Sequence, residues 1–427
     1  MPGVAEAVWP VVERLDRRAP GARDFGLRFW DGSEVPPPPT ADDELTLVVR
    51  DPVALAYALR QPNELGFGRA WVTGALDVDG DLERGLALRD RFGGLRLSAA
   101  DRLAALRAVA RLGAVRLRGP AVPASEAPVG RGRRHSLDRD RVAVRHHYDV
   151  SNAFYRMVLG PTMVYSCAYF SSPDDTLEEA QTRKLETICR KLRLRAGDRL
   201  LDIGCGWGAL VLHAAREHGG RAVGVTLSEP QAELARGRIR NAGLSDRCEI
   251  RVADYREVDD GPYDKVASVG MYEHVGRAHL GEYVGRVTRL LREGGLFLNH
   301  GIVRAQPRLW DKHSFIARYV FPDGELHPVG ALVDAMERAG LEIRDDEALR
   351  EHYALTLRRW VANLAANRDA AIAEAGTERE RVWRLYMTGS ALAFEAGDIS
   401  VHQVLAAKPG APHELPLARE ALLAGLD

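Results

Sequence analysis

Beyond about residue 141 the chain alternates short apolar runs with helical stretches, and this rhythm constrains the fold more than any other feature. RLLDIGCG (199–206), RAVGVTLS (221–228), EIRVADY (249–255), YDKVASVG (263–270) and GGLFLNHG (294–301) are short, apolar and β-branched. Stretches of ten to fifteen residues with helical character separate them, such as ALVLHAAREHGG (209–220) and PQAELARGRIRNAG (230–243). Runs of that kind are buried on both faces, and intervening helices return the chain parallel to itself. The pattern predicts an α/β fold, a doubly wound parallel sheet with helices on both faces. In such sheets ligands sit outside the carboxyl ends of the strands.

The residues at those ends carry chemistry. LDIGCGWG (201–208) puts Gly204, Gly206 and Gly208 directly after the first strand, where glycine tolerates positive φ and lets a ligand approach the backbone. The spacing is GxGxG, not the GxGxxG of a dinucleotide site; the plain alternative is a structural strand-to-helix turn. Asp202 can accept from a cationic methionine moiety. The second strand, which commonly ends in an acidic residue for ribose hydroxyls, ends here in Thr226, Leu227 and Ser228, followed by Gln231. Hydroxyl and amide groups can make the same bonds. After the third strand, Asp254 is placed for an adenine amine and Tyr255 for its face, with Arg256 adjacent, unless this loop is simply solvated.

With 427 residues, 46% of them apolar and 28% charged, the chain exceeds one compact core and reads as an ordinary globular protein of two domains. No apolar run approaches the roughly 18–20 residues that span a bilayer. The N-terminus lacks the charged-then-apolar order of a signal peptide, so a cytoplasmic location is expected. Cys167, Cys189, Cys205 and Cys248 form no CxxC pair, and no metal site is expected. A net charge of −1 argues against nucleic-acid binding, yet residues 101–145 hold eleven arginines against four acidic residues.

The N-terminal region mixes strand-like pieces, LTLVVR (45–50) and AWVTGALDVDG (70–80), with a helical VALAYALR (53–60); PPPPT (36–40) reads as a rigid loop. Residues 98–118 repeat Leu and Ala at helical spacing with arginines between, and 120–134 lose all periodicity. The expected organisation is a smaller α+β N-terminal domain (1–118), a basic linker (119–140) and a catalytic domain (141–427).

Six further segments carry a resemblance. RHHYDVSNAFYRMVLGPTMVYSCAYF (145–170), LDIGCGWG, GVTLSEPQ (224–231), SVGMYEHVG (268–276), YVFPDGEL (319–326) and HYALTLRRW (352–360) resemble, in order, the cyclopropane-fatty-acyl-phospholipid synthases and their mycolic-acid relatives. The resemblance implies a class I S-adenosylmethionine methyltransferase fold, Rossmann-like, and methyl transfer from S-adenosylmethionine to a cis double bond of an unsaturated acyl chain, leaving S-adenosylhomocysteine. In that family a bicarbonate ion beside the reacting carbon is held by residues matching Cys167 in YSCAYF, Glu273 in MYEHVG, His300 and the Ile302 backbone in NHGIV, and Tyr353 in HYALT. Tyr165 and Ser166 match positions near the cofactor.

The chemistry explains such a set. An alkene is a weak nucleophile, so donor and acceptor must be held close and in line. Methylation leaves a carbocation in an apolar channel, and a base positioned by several ligands removes a proton without admitting water. Singly, each residue has a blander reading: Cys167 a small buried hydrophobe, Glu273 a helix-start carboxylate, His300 a bonded core histidine. His146 and His147 suit substrate-side or structural hydrogen bonding, and Trp207, Trp310 and Trp360 suit core packing.

Acyl chains stay in the bilayer, so the resemblance implies peripheral contact with the inner face of the cell membrane and a phospholipid substrate. The basic 101–145 stretch could supply about 1 kcal/mol per cation near anionic lipid, and an amphipathic 98–118 could add insertion; a solvated helix face is the alternative. A homo-oligomer, a dimer, is expected. The cation can close to a cyclopropane or, after a hydride shift, yield a 10-methylene chain for a partner reductase. ELHPV (325–329) places His327 where many cyclopropane synthases carry proline, which opens the second outcome. A methyltransferase for a small-molecule oxygen or nitrogen, or a lipid-binding protein with a dead methyltransferase domain, are the other classes; the second would be expected to have lost a loop glycine or Glu273.

Overall fold

The computed structural model describes residues 3–39, 45–93, 98–101, 103–104, 107, 120–127, 139, 150–305, 308–309 and 314–424. Most of the basic 101–145 stretch, His146, His147 and Trp310 lie outside the described residues. Two compact units emerge, one of residues 1–128, 312–319 and 376–389, the other of 129–311, 320–375 and 390–427. Among the described residues no helix is long and apolar enough to cross a membrane.

The first unit is built on four strands, β1 (Phe25–Phe29), β2 (Glu34–Val35), β3 (Leu45–Val49) and β4 (Leu76–Asp79), in the order β2-β1-β3-β4. Its core gathers Val4, Phe25, Leu27, Phe29, Leu45, Val49 and Tyr57. Helix Val53–Arg60 forms where expected. The segment 70–80 is not all strand-like. Asn63 accepts hydrogen bonds from the Leu65 and Gly66 amides and starts a helix that runs through Ala70 and Trp71 to Val72, and only Leu76–Asp79 is strand. The side-chain cap decides this start, and Gly74 at φ 74° turns the chain afterwards. Residues 120–127 are anchored in this unit: the buried Glu126 carboxylate takes both Arg69 nitrogens at 2.7 and 2.8 Å and the Tyr319 hydroxyl at 3.2 Å.

The second unit carries a seven-stranded sheet made of β5 (Arg199–Ile203), β6 (Arg221–Thr226), β7 (Cys248–Val252), β8 (Tyr263–Val269), β9 (Leu291–Val303), β12 (Glu342–Ala348) and β13 (Ser400–Ala407). The order is β12-β13-β9-β8-β5-β6-β7, with β13 antiparallel between β9 and β12. A separate ribbon pairs β10 (Arg308–Leu309) with β11 (Glu325–Leu326). The five expected strands are all present and mutually parallel. One face of the sheet is closed by Ile188, Leu192, Val211, Leu212, Ala235 and Ile239, the other by Val275, Tyr283, Val284, Val287 and Met336. This two-sided burial is what their apolar runs require. The carboxyl ends of β5 to β9 therefore open at one edge.

Candidate active site

One cavity forms at the carboxyl ends of the strands. Its wall includes Tyr165, Ser166, Asp202, Gly204, Gly206, Thr226, Leu227, Gln231, Asp254, Tyr255 and Arg256, all anticipated from sequence. Gly204 and Gly206 stand at φ 82° and 53°, a region that side-chain-bearing residues avoid. The amides of Gly204 and Cys205 both donate to the Val225 carbonyl at 3.0 Å, tying the loop to β6. Gly208 and Ser228 do not line the cavity. Gly208 caps helix Ala209–His218 at φ 76°, and a Cβ there would sit 3.0 Å from that of Ala235. Ser228 caps helix Glu229–Asn241. Both serve local backbone and packing needs.

Several polar groups of this wall are partnered. The Thr226 hydroxyl donates to Gln231 Oε1 at 2.9 Å. Asp254 accepts from the Arg256 amide at 2.9 Å and from its guanidinium at 2.8 Å, so its charge is already matched. The Tyr165 ring lies 5.2 Å from that of Trp360 and 5.8 Å from that of Tyr155. Trp360 is wholly buried, as core packing implies. Trp207, expected only to pack, also borders the cavity.

Lys184 also lines the cavity, outside every motif singled out in the sequence. Its ammonium is buried and donates to Ser166 Oγ at 3.0 Å. Burial pushes it below the ordinary lysine range, opposed by the Asp202 charge, while burial pushes Asp202 up. A signal existed. In LEEAQTRKLETICRK, Lys184 shares the buried stripe of Leu177, Gln181, Leu185 and Ile188, and a charge at a core phase marks a functional or strained position.

A second group gathers where β8 and β9 end. The Glu273 carboxylate, in a 3-10 turn after β8, accepts from the Ile302 amide at 2.7 Å. His300 lies two residues earlier on β9, with Nδ1 3.2 Å from Gln403 Nε2 of β13. The Cys167 sulphur is 3.7 Å from the Leu349 carbonyl, which also accepts from the Tyr353 amide at 3.2 Å. The Leu349 amide in turn donates to Val401, the β13 partner of Ile302. Largely main-chain bonds thus join the segments that carry Cys167, Tyr353, Ile302 and Glu273. Tyr353 is buried, its ring 4.6 Å from that of Phe394. Gln403 is the member that sequence did not reveal.

The electrostatics of this group are unusual. Glu273 Oε2, His300 Nε2 and the Tyr272 hydroxyl are buried with no hydrogen-bond partner among the described residues. Burial pushes the Glu273 carboxyl up to about 7, opposed by the Ile302 amide bond. Burial also holds His300 well below its ordinary value, with the charges of Lys184 and Lys191 adding to it, and it pushes the Cys167 thiol up. At neutral pH these groups are a neutral imidazole, a thiol and a carboxyl poised near half-ionisation. Gly270, Met271 and His274, on either side of Glu273 in sequence, line the cofactor-type cavity, so the two groups adjoin.

Comparison with known proteins now decides the family. The mycolic acid cyclopropane synthetase family model matches residues 135–404. The chain belongs to that family. A probable fatty acid methyltransferase of Pseudomonas putida is 41% identical over 401 residues, 92% of this chain and 95% of that protein. One of Mycobacterium tuberculosis is 41% identical over 412 residues, 93% of this chain and 95% of that protein. Among solved structures, a mycolic acid cyclopropane synthase complexed with SAH and CTAB is 34% identical, with a TM-score of 0.60 over 63% of this chain and 98% of that one. The fold is the class I methyltransferase fold, and the protein is an S-adenosylmethionine-dependent methyltransferase acting on lipids. The glycine loop, the buried Asp202 and the Thr226–Gln231 pair line the cavity in which such a cofactor would be held.

Proposed function

We propose that the enzyme methylates the cis double bond of an unsaturated acyl chain in a membrane phospholipid and that the product is a cyclopropane fatty acid. The observation that carries this reading is the pair of orphaned buried atoms, Glu273 Oε2 and His300 Nε2, beside the cofactor cavity. Buried polar atoms are nearly always bonded, so an unpartnered pair at a site edge points to a small polar ligand. Bicarbonate fits: Cys167, Glu273, His300, the Ile302 amide and Tyr353 would hold it, and bound there it would supply an acceptor for the proton lost from the substrate. S-adenosylmethionine supplies an electrophilic methyl group when bound.

The chain's own residues then have defined tasks. Glu273, with its carboxyl raised to about 7, takes up a proton readily near neutrality. His300, kept neutral, offers a lone pair or an N–H without adding positive charge beside a developing cation. Cys167 remains a thiol because burial disfavours its thiolate, and a thiol is a far weaker target for alkylation than a thiolate. A methyltransferase for an oxygen or nitrogen nucleophile needs none of these three together.

A second reading keeps the methylation and inserts a hydride shift before the new methyl group loses its proton, giving a 10-methylene chain. His327 favours it. The residue is buried, its ring is edge-on to Tyr272 at 6.2 Å, and its Nε2 lies 3.4 Å from Glu325. His327 thus packs against the residue that precedes Glu273. In this reading a partner reductase completes a 10-methyl acid. On either reading the enzyme works as a homo-oligomer at the inner face of the membrane, with the basic 101–145 stretch on anionic lipid.

Incubating the protein with S-adenosylmethionine and oleoyl-phospholipid vesicles, then analysing the released acids by mass spectrometry, tests the proposal. A chain heavier by one CH2 that resists hydrogenation under alkene conditions supports the cyclopropane; one that takes up hydrogen supports the methylene product; unchanged oleate contradicts both.

A further inference from the structure

Two helices of the catalytic unit assemble a second polar cluster, and none of its four residues lines the cofactor cavity. Helix Leu177–Lys191 contributes Glu186 and Cys189, one turn apart, and helix Ala209–His218 contributes His213 and its last residue, His218. Both imidazoles turn Nε2 onto the same oxygen, Glu186 Oε2, at 3.0 and 2.9 Å. Ligand atoms of Cys189, His213 and His218 all lie within 4.8 Å of one another. The Cys189 sulphur is fully buried and, among the described residues, makes no hydrogen bond, whereas those of Cys167, Cys205 and Cys248 each meet a carbonyl.

We propose that Cys189, His213, His218 and Glu186 form a binding site for one zinc-class divalent cation. One thiolate, one carboxylate and two neutral imidazoles make a four-donor set that balances a doubly charged ion, and nitrogen with sulphur is the pairing that zinc and cobalt prefer over magnesium or calcium. Tetrahedral bonds of about 2.0–2.3 Å place donors roughly 3.3–3.8 Å apart, so the cysteine and imidazole donors, now within 4.8 Å of one another, must close by up to about an ångström, and Glu186 Oε2 must move off the imidazoles it now meets at 3.0 and 2.9 Å; side-chain torsions supply both movements. The remaining carboxylate oxygen, Glu186 Oε1, is already held by Arg190 Nε at 2.6 Å, the kind of outer contact that orients a metal-bound carboxylate. An ion here would staple the helix that carries Lys184 to the helix that follows the glycine loop, bracing two walls of the cofactor cavity. Cysteine spacing gives no hint of it, because a single cysteine is joined by residues from a second helix.

The competing state is metal-free: Glu186 accepts a hydrogen bond from each histidine, and the sulphur is an apolar filler. Titrating metal-stripped, full-length protein with Co(II) separates the two. We expect saturation at one equivalent with a thiolate-to-cobalt band in the near ultraviolet and tetrahedral d–d bands in the visible. The thiolate band should vanish in Cys189→Ser, and Co(II) affinity should fall at least about tenfold in His218→Gln. Retained S-adenosylhomocysteine binding shows that each variant is folded. A wild-type titration without the thiolate band, or the same band in Cys189→Ser, overturns the proposal. This readout is independent of any methyl-transfer product.

Discussion

The two halves of the active site are finished to different degrees. Around the glycine loop, three pairs of polar side chains are made within the protein: Thr226 meets Gln231, Asp254 meets Arg256, and Ser166 meets Lys184. At the ends of β8 and β9, Glu273 and His300 each spend one polar atom on the protein and leave the other buried and unbonded. The first half is preorganised without its ligand. The second carries desolvation cost that only a bound polar species can offset. Substitutions should therefore divide along this line, with loss of rate on one side and loss of cofactor affinity on the other.

The largest expected effect is that of Glu273→Gln, which should slow methyl transfer by about 10²–10⁴-fold while leaving S-adenosylhomocysteine affinity within about twofold; calorimetry beside a labelled-methyl assay would read both. A comparable loss of cofactor binding would erase the contrast. Next comes pH. Since Glu273 must be ionised to take a proton and its carboxyl lies near 7, kcat/KM should rise about tenfold per pH unit below 7 and level off above it. Glu273→Gln should lose that limb. The same group sets a stability trend. Its folded value exceeds its unfolded one, so the folded state binds the extra proton, and its contribution is present below about 4.5 and lost as pH rises to about 7. Denaturant titration of the ligand-free protein should show that decline, and the Gln variant should lack Glu273's share, on the order of 3 kcal/mol.

Smaller effects follow on the preorganised side. Ser166→Ala leaves the Lys184 ammonium without its hydroxyl acceptor, which should cost about 1–3 kcal/mol of stability and weaken S-adenosylhomocysteine binding about tenfold, with kcat little changed. An intact affinity would place Lys184 outside the cofactor's reach. The smallest effect is that of His327→Leu: a rate change of only a few-fold, but a shift in the ratio of cyclopropane to methylene product. An unaltered ratio would free His327 from any part in proton removal.

Much of this was legible in the residues. The five parallel strands followed from apolar β-branched runs, and the cavity wall from what stands at their carboxyl ends. β12 and β13 were not legible. EIRDDEA is a largely polar edge strand, and SVHQVLAA reaches the sheet only after three helices. Local capping explains the rest of the cofactor-side discrepancies, since Gly208 and Ser228 sit in the right motifs but serve helix starts. Lys184, Gln403 and the Glu186 cluster depend on which face of an element meets which neighbour, and that is a tertiary fact. Residues 312–319 and 376–389, which group with the N-terminal unit, carry no sequence mark of that exchange.

The central claim is that a methyl group goes to an alkene carbon and then gives up one of its own hydrogens. S-adenosylmethionine with a fully deuterated methyl group, supplied with oleoyl-phospholipid vesicles, measures this directly. The account predicts an acyl product that carries two deuterium atoms at the new carbon, for cyclopropane and methylene alike. A product that keeps all three, as simple transfer to oxygen or nitrogen would give, contradicts it.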